Sequence, residues 1–244
     1  MGQKYAAYNA QGVITAFYDS ADSPVPTGVT SIIAISDAQW FAASSNQGYT
    51  VANGALVAPV PPTAAQLLAA AQVTQAAAIS NACATAITAG FTSTALGSTY
   101  SYPAKATDQA NLSASVIAAL LAANGAVAWS ADTLYAAGQI VIAGGQLYTC
   151  VVSGQSGAAV PVWPAAAGRI TNDGSAQWEL WVTPFWCEDA TGNWSFVNHT
   201  APQIQKVGVD GKQAVLANMA KNVSLSTQVY EAVTIAAVQA IVWQ

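Results

Sequence analysis

Charge is what this sequence lacks most. Only 7% of its 244 residues are Asp, Glu, Lys or Arg, against about 25% in an ordinary globular domain. None occurs between Asp37 and Lys105, or between Asp132 and Arg169. Lone domains keep a mixed, charged surface that resists association. Much of this surface is therefore expected to lie against other chains, with Ser, Thr, Asn and Gln keeping the rest wet. Lys and Arg number six, scattered, and the net charge is −5. Binding a phosphate backbone needs clustered cations, so nucleic acid is excluded as a partner.

Histidine is also scarce, with His199 alone, and cysteine is limited to Cys83, Cys150 and Cys187 with no CxxC. That set is too thin for a metal centre. The cysteines read as small buried hydrophobes of a protein made in the cytosol. No phosphate loop, dinucleotide fingerprint or HExxH is present. No catalytic, cofactor-binding or metal-ligating residue is assigned, and no cofactor or enzymatic activity is expected. Long apolar runs are missing too. Residues 64–89 are Ala-rich but broken by Gln, Thr, Ser and Asn, whereas a membrane span needs about 20 strongly apolar residues, so no membrane insertion is expected. "MGQKYAAYNAQGV" has neither the charged-then-apolar pattern of a secretory signal nor the Ser or Thr at position six that myristoylation requires.

What is present is apolar, at 53%, and patterned as an α+β protein. Residues 1–60 alternate as a small β part, with Asn53-Gly54 as a hairpin turn and Ser36 capping a short helix. "VAPVPPT" is a boundary. Thr63 then caps an Ala-rich helix that places Ile79, Cys83 and Ile87 on one stripe and stops at Gly90. "FTSTALGSTYSYP" reads as a strand pair around Gly97. Thr107 is expected to cap a second helix, with Leu112, Val116, Ile117, Leu120 and Leu121 on its inner face. The helical part spans 61–125. At 126–183 the helical period vanishes and a small all-β module is inserted, with turns at Gly138, Gly144-Gly145 and Asp173-Gly174. Residues 184–244 return with a hairpin and long C-terminal helices restarted at Thr234.

The densest chemistry lies in "FWCEDATGNWSFVNHTAPQI", residues 185–204. A triad needs a nucleophile, a base and an orienting acid, and His199 beside Cys187 is the only local pairing. A carboxylate pair for glycosidic cleavage would be Glu188 with another acid such as Glu179. The alternation around "DATGN" instead predicts a hairpin with Trp186, Trp194 and Phe196 as its core and Glu188 and Asp189 leading into its turn. Thr200 and Gln203 then form a reciprocal helix cap, with His199 just outside it. The candidate binding residues lie in the inserted module: Trp129, Tyr135, Tyr148, Trp163, Trp178 and Trp181. Rings that remain exposed can stack on sugar C–H faces. Half or more of the six are expected in the core, since a module this small needs large side chains to bury enough area.

Three segments, "TALGSTYSYPAKATDQANL", "FWCEDATGNWSFVNHTAPQIQKVGVDGK" and "AAVQAIVW", together resemble an uncharacterised domain of phage and prophage tail-fibre proteins. "YDSADSPVPTGVTSIIAISDAQW" and "GYTVANGALV" are similar to the N-terminal part of tail-fibre and fibre-assembly proteins. "YAAGQIVIAGGQLYTC", "GQSGAAVPVWP" and "DGSAQWEL" resemble small carbohydrate-binding-like repeats of phage fibres. In the tail-associated pattern the helix runs almost directly into the "FWC" hairpin, so 126–183 looks like a grafted module that projects. The resemblance implies a structural protein of the virion tail, made in the host bacterial cytoplasm. Its partners would be other tail chains in the fibre or baseplate, copies of itself (a trimer favoured) and a host-surface glycan. A fibre-assembly chaperone is the alternative, and a tail-associated hydrolase comes after it.

Overall fold

In the computed structural model, which describes residues 2–244, the chain is a mixed α+β protein with several small sheets. Met1, where the N-terminal targeting patterns begin, lies outside the described residues. The chain divides into two compact units, Met1–Leu67 and Leu68–Gln244.

In the first unit, β1 (Lys4–Tyr8) lies between β2 (Ile14–Asp19) and β3 (Ile32–Ile35), antiparallel to both. Ala6 and Ala7 of the central strand are fully covered. Lys4 pairs with Asp19 across the β1–β2 ladder and lies over the Trp40 ring. Helix α1 (Asp37–Ser45) starts with a complete capping box. Ser36 Oγ accepts from Gln39 N–H at 3.2 Å, and Gln39 Oε1 accepts from Ser36 N–H at 2.9 Å. Strands β4 (Thr50–Ala52) and β5 (Ala55–Val57) close on Asn53 and Gly54, both at positive φ (52° and 75°), as a tight hairpin requires.

Helix α2 (Ala64–Thr88) is capped by Thr63 and Gln66 in the same reciprocal way. Ile79 and Cys83 are buried on its stripe and Ile87 is half-buried. The chain leaves through Gly90 at φ 113°, where a Cβ would fall 2.5 Å from the Tyr102 carbonyl oxygen. Strands β6 (Phe91–Ser93) and β7 (Tyr100–Tyr102) form the expected pair.

Helix α3 (Ala106–Gly125) departs from expectation twice. Its N-cap is Lys105, whose N–H donates to Asp108 at 3.0 Å, so Thr107 is already inside the first turn. Its inner face is Leu112, Val116, Ala119 and Ala122, while Ile117, Leu120 and Leu121 are 55%, 45% and 67% exposed. The physical reason is close packing on α4 (Ala201–Glu231). A Cβ on Gly208 would sit 2.8 Å from a Val116 methyl, and one on Gly211 would sit 2.8 Å from the Phe91 ring. Gly208 thus lets α4 close on Val116 of α3, and Gly211 lets it close on Phe91 of β6, while Ile117, Leu120 and Leu121 lie off that contact.

The inserted region holds β8 (Val127–Ala128), β9 (Leu134–Tyr135), β10 (Ile140–Ala143), β11 (Gln146–Val152), β12 (Gly154–Gln155), β13 (Ile170–Asp173) and β14 (Ala176–Leu180). Five of them form one sheet in the order β13-β14-β11-β10-β8, and β12 pairs with β9. One face of the sheet carries Val141, Tyr148, Cys150, Ala176, Trp178 and Leu180 into the module's own core. The other face sends Ile140, Leu147 and Trp181 into the core built by α3, α4 and the next hairpin. The module is thus packed on both sides and does not hang free of the helical body.

The hairpin β15 (Thr183–Glu188) and β16 (Trp194–His199) completes a sheet in the order β16-β15-β7-β6. Ser93 Oγ donates to Asp210 at 2.5 Å, and Lys206 donates to the same carboxylate, tying β6 to α4. Helix α5 (Ile235–Ala240) restarts at the Thr234 cap. Ile79, Val229 and Val238 form a third core at that end. No described helix is long and apolar enough to cross a membrane.

Candidate functional site

The hairpin alternates as its sequence demands, which gives it two chemically different faces. The inner face carries Phe185, Cys187 and His199, at 1%, 0% and 0% exposure, against Tyr102. His199 Nδ1 is 2.8 Å from the Val197 carbonyl, which can only accept, so Nδ1 carries the proton. Nε2, 2.9 Å from the Tyr102 hydroxyl, therefore accepts from it. Burial lowers the His199 pKa and raises those of Tyr102 and Cys187. The imidazole is held neutral, and the thiol is held protonated. Both imidazole nitrogens are committed, and none of the three side chains reaches solvent. Thr200 and Gln203 form only half of the expected cap. Gln203 Oε1 accepts from Thr200 N–H at 2.8 Å, while Thr200 Oγ1 is buried without a partner.

The outer face corrects the sequence reading. Trp186, Trp194 and Phe196 are not hairpin core; they are 39%, 41% and 68% exposed. Trp186 faces Phe196 directly across the ladder, and Glu188 faces Trp194. The two indoles are nearly parallel, at 20° with centroids 6.3 Å apart, and Phe196 meets Trp186 at 5.0 Å and 63°. Pro184 and Asn198 extend the same face. Asp189 closes the turn, accepting from the N–H groups of Thr191 and Asn193 and from the Thr191 hydroxyl, bonds that hold its pKa below the usual carboxylate value.

The module rings proposed for glycan binding are largely interior. Trp178, Tyr135 and Tyr148 are 0%, 4% and 6% exposed, so none can offer a face to a ligand. Trp129 and Trp163 are half-buried in the same cluster. Trp163 stacks on Tyr148 at 4.3 Å and meets Trp178 and Trp129 edge-on. Trp181, also half-buried, packs on the helical core instead. Asp173, which the sequence marks only as a turn residue, is the polar centre of the cluster. Its carboxylate accepts from Trp129 Nε1 at 2.8 Å, Trp178 Nε1 at 2.9 Å and Gly157 N–H at 2.7 Å. Glu179, the other acid once paired with Glu188, caps a loop by accepting from Gly168 N–H at 3.0 Å.

A second surface lies on α4. Ile204, Val207, Gly211 and Val229 are buried on one side. On another, Val209, Leu216, Val223 and Tyr230 recur every seventh residue at 55%, 52%, 64% and 57% exposure, with Met219 between them at 52%. Sequence reading assigned the long helix without separating its buried stripe from its exposed one. The signal that separates them is the seven-residue interval from Val209 to Tyr230, legible once two stripes are allowed on one helix. Beside this seam an apolar cavity of about 420 Å³ opens between α3 and α4, lined among others by Phe91, Leu112, Ile117, Val209 and Val215. Among the described residues no group of three His, Cys, Asp or Glu could hold a metal ion, and all three cysteines are buried and unpaired.

No protein-family model matches the chain, and no curated protein or solved structure matches it.

Proposed function

We propose that this chain is a structural subunit of a bacteriophage tail, at the fibre or its base, which associates with copies of itself and with neighbouring tail chains and contributes to attachment at the host surface. The observation that carries the reading is the exposed heptad seam of α4. Large apolar residues repeated every seven positions on an exposed helix face form a narrow strip along one side of the helix that another chain can cover. Val209, Leu216, Val223 and Tyr230 supply four successive positions of one such strip. A second copy carries the same strip, which makes self-association the simplest way to cover it. Exposed apolar patches of this kind mark protein–protein contacts, and a chain with only 7% charged residues has little to oppose them. The resemblance of the sequence to tail-fibre proteins supplies the setting, in which the mature location is the virion.

Mass spectrometry of purified phage particles from a host that carries the gene tests this reading. The chain is expected in finished particles in fixed ratio to the fibre or baseplate chains. Its presence in infected cells but not in particles would overturn the structural role and support a fibre-assembly chaperone.

A further inference from the structure

The outer face of the β15–β16 hairpin has properties that its role in the fold does not explain. Two indoles, 39% and 41% exposed, and a phenyl ring at 68% share one face of an edge hairpin with the side chains of Glu188 and Asn198. Aromatic residues so placed contribute little to the core, which is already closed by Phe185 and Cys187 on the opposite face.

We propose that Trp186, Trp194 and Phe196 form a binding platform for an uncharged saccharide chain. Three observations select that ligand. First, the two indole rings are nearly parallel, at 20°, and Phe196 rises beside Trp186 at 63°. The indoles stack on each other with an offset, so the pair offers its partly exposed ring faces, with Phe196 as a side wall. The negative face of each π-system attracts the polarised C–H groups of a pyranose face. Second, the rim is acceptor-rich. The Glu188 carboxylate can only accept, and the Asn198 amide can accept or donate. An occupant must therefore carry an apolar face edged with O–H or N–H donors. Third, the charge is one-sided. No Lys or Arg occurs between Arg169 and Lys206, and His199 is buried and neutral, whereas Glu188 and Asp189 flank the rings. Sialylated or uronic-acid chains are repelled, and so is single-stranded nucleic acid, which stacks on aromatics only within a basic groove. A cationic side chain would gain most from rings that enclose and desolvate it; these rings lie open, with Phe196 more than two-thirds exposed. The platform is defined by the hairpin alone and stands whether or not the chain resides in a virion. If it does, the platform is the surface that meets the host.

The test uses the full chain in calorimetric titration and intrinsic tryptophan fluorescence. The probes are neutral hexose and N-acetylhexosamine oligomers, a polyuronate, a sialylated oligosaccharide and an Arg-rich peptide. The expected result is saturable binding of at least one neutral oligomer, with a shift in tryptophan emission. Trp186→Ala and Trp194→Ala should each weaken it about tenfold, the equivalent of one ring contact, with the thermal melt unchanged. Trp129→Phe, in the inserted module, should leave it intact. The proposal is overturned if no neutral oligomer binds, if the Trp186→Ala/Trp194→Ala variant binds as the parent does, or if the polyuronate or the basic peptide binds at the platform instead. A fall in oligomeric mass in that variant, with no saccharide bound by the parent, would equally overturn it and make the hairpin an interface between copies.

Discussion

Two groups of aromatic residues, one within 129–178 and the other within 186–196, are used in opposite ways. In the inserted module, Tyr135, Tyr148 and Trp178 face inward, and Trp129 and Trp163 close over them. In the following hairpin, Trp186, Trp194 and Phe196 face outward, while Phe185, Cys187 and His199 fill the interior. The module is small, and its rings join Val141, Cys150, Ala176 and Leu180 in one core, since a domain of that size needs large side chains inside it to bury enough area. The hairpin lies against an existing core formed by Tyr102, α3 and α4, and its inner positions are already filled. Its rings are therefore surplus to folding. Burial of aromatics is thus decided by what else can close the core, and the ring count of a segment does not reveal it.

The comparison can be broken most forcefully at Trp178. Trp178→Ala removes a fully buried indole and should cost about 3–5 kcal/mol, read as a lower midpoint in denaturant unfolding. A loss below about 0.5 kcal/mol, the range of an ordinary surface change, would mean the module is not built around its rings. Asp173→Ala comes next. It leaves two indole N–H groups and one backbone N–H without their acceptor, for a loss of about 1–3 kcal/mol, and near-ultraviolet circular dichroism should report loosened tryptophan packing.

A smaller effect follows from His199. Burial lowers its folded pKa below the ordinary 6.5. In the unfolded chain it gains a proton at a pH where the folded chain does not. Stability is therefore full above about pH 6.5 and falls as pH drops below that value. The carboxylates of Asp19, Asp189 and Asp210, held below 3.8, act only at lower pH. Thermal melts between pH 7 and pH 5 should show this decline, and His199→Gln should flatten it. A parent melting temperature independent of pH across that window would contradict a buried neutral imidazole. The smallest expected effect is at the hairpin's outer face, where Phe196→Ala should change stability by no more than about 0.5 kcal/mol. A loss as large as that of Trp178→Ala would show that the outer rings are structural after all.

Much of the fold was legible in the sequence. The Ser36, Thr63 and Thr234 caps, the Asn53-Gly54 turn, the Gly90 stop and the hairpin around "DATGN" all follow from local chemistry, which needs no knowledge of neighbours. What the sequence hid was orientation. Period-2 alternation at 183–199 fixes that Trp186 and Cys187 point in opposite directions, but the choice of inward face depends on Tyr102, some 85 positions away. The same holds for α3. Ile117, Leu120 and Leu121 make a better apolar stripe than Ala119 and Ala122, yet the alanines are inside and the larger residues outside, on a helix that Gly208 lets α4 approach at Val116. The hydrophobic pattern identifies stripes, and packing then selects between them. Lys105 in place of Thr107 as N-cap is a smaller instance, decided by the Asp108 carboxylate reaching back to the Lys105 N–H.

The outward stripe on α4 carries the functional claim, and sedimentation equilibrium tests it most directly. The parent chain, 24.8 kDa as a monomer, should sediment as an oligomer, with three copies the expected order. A Leu216→Lys/Val223→Lys variant should sediment as a monomer with an unchanged circular dichroism spectrum and melt. A parent that remains monomeric at the highest concentration it tolerates, or a variant that keeps the parent's mass, would contradict the account.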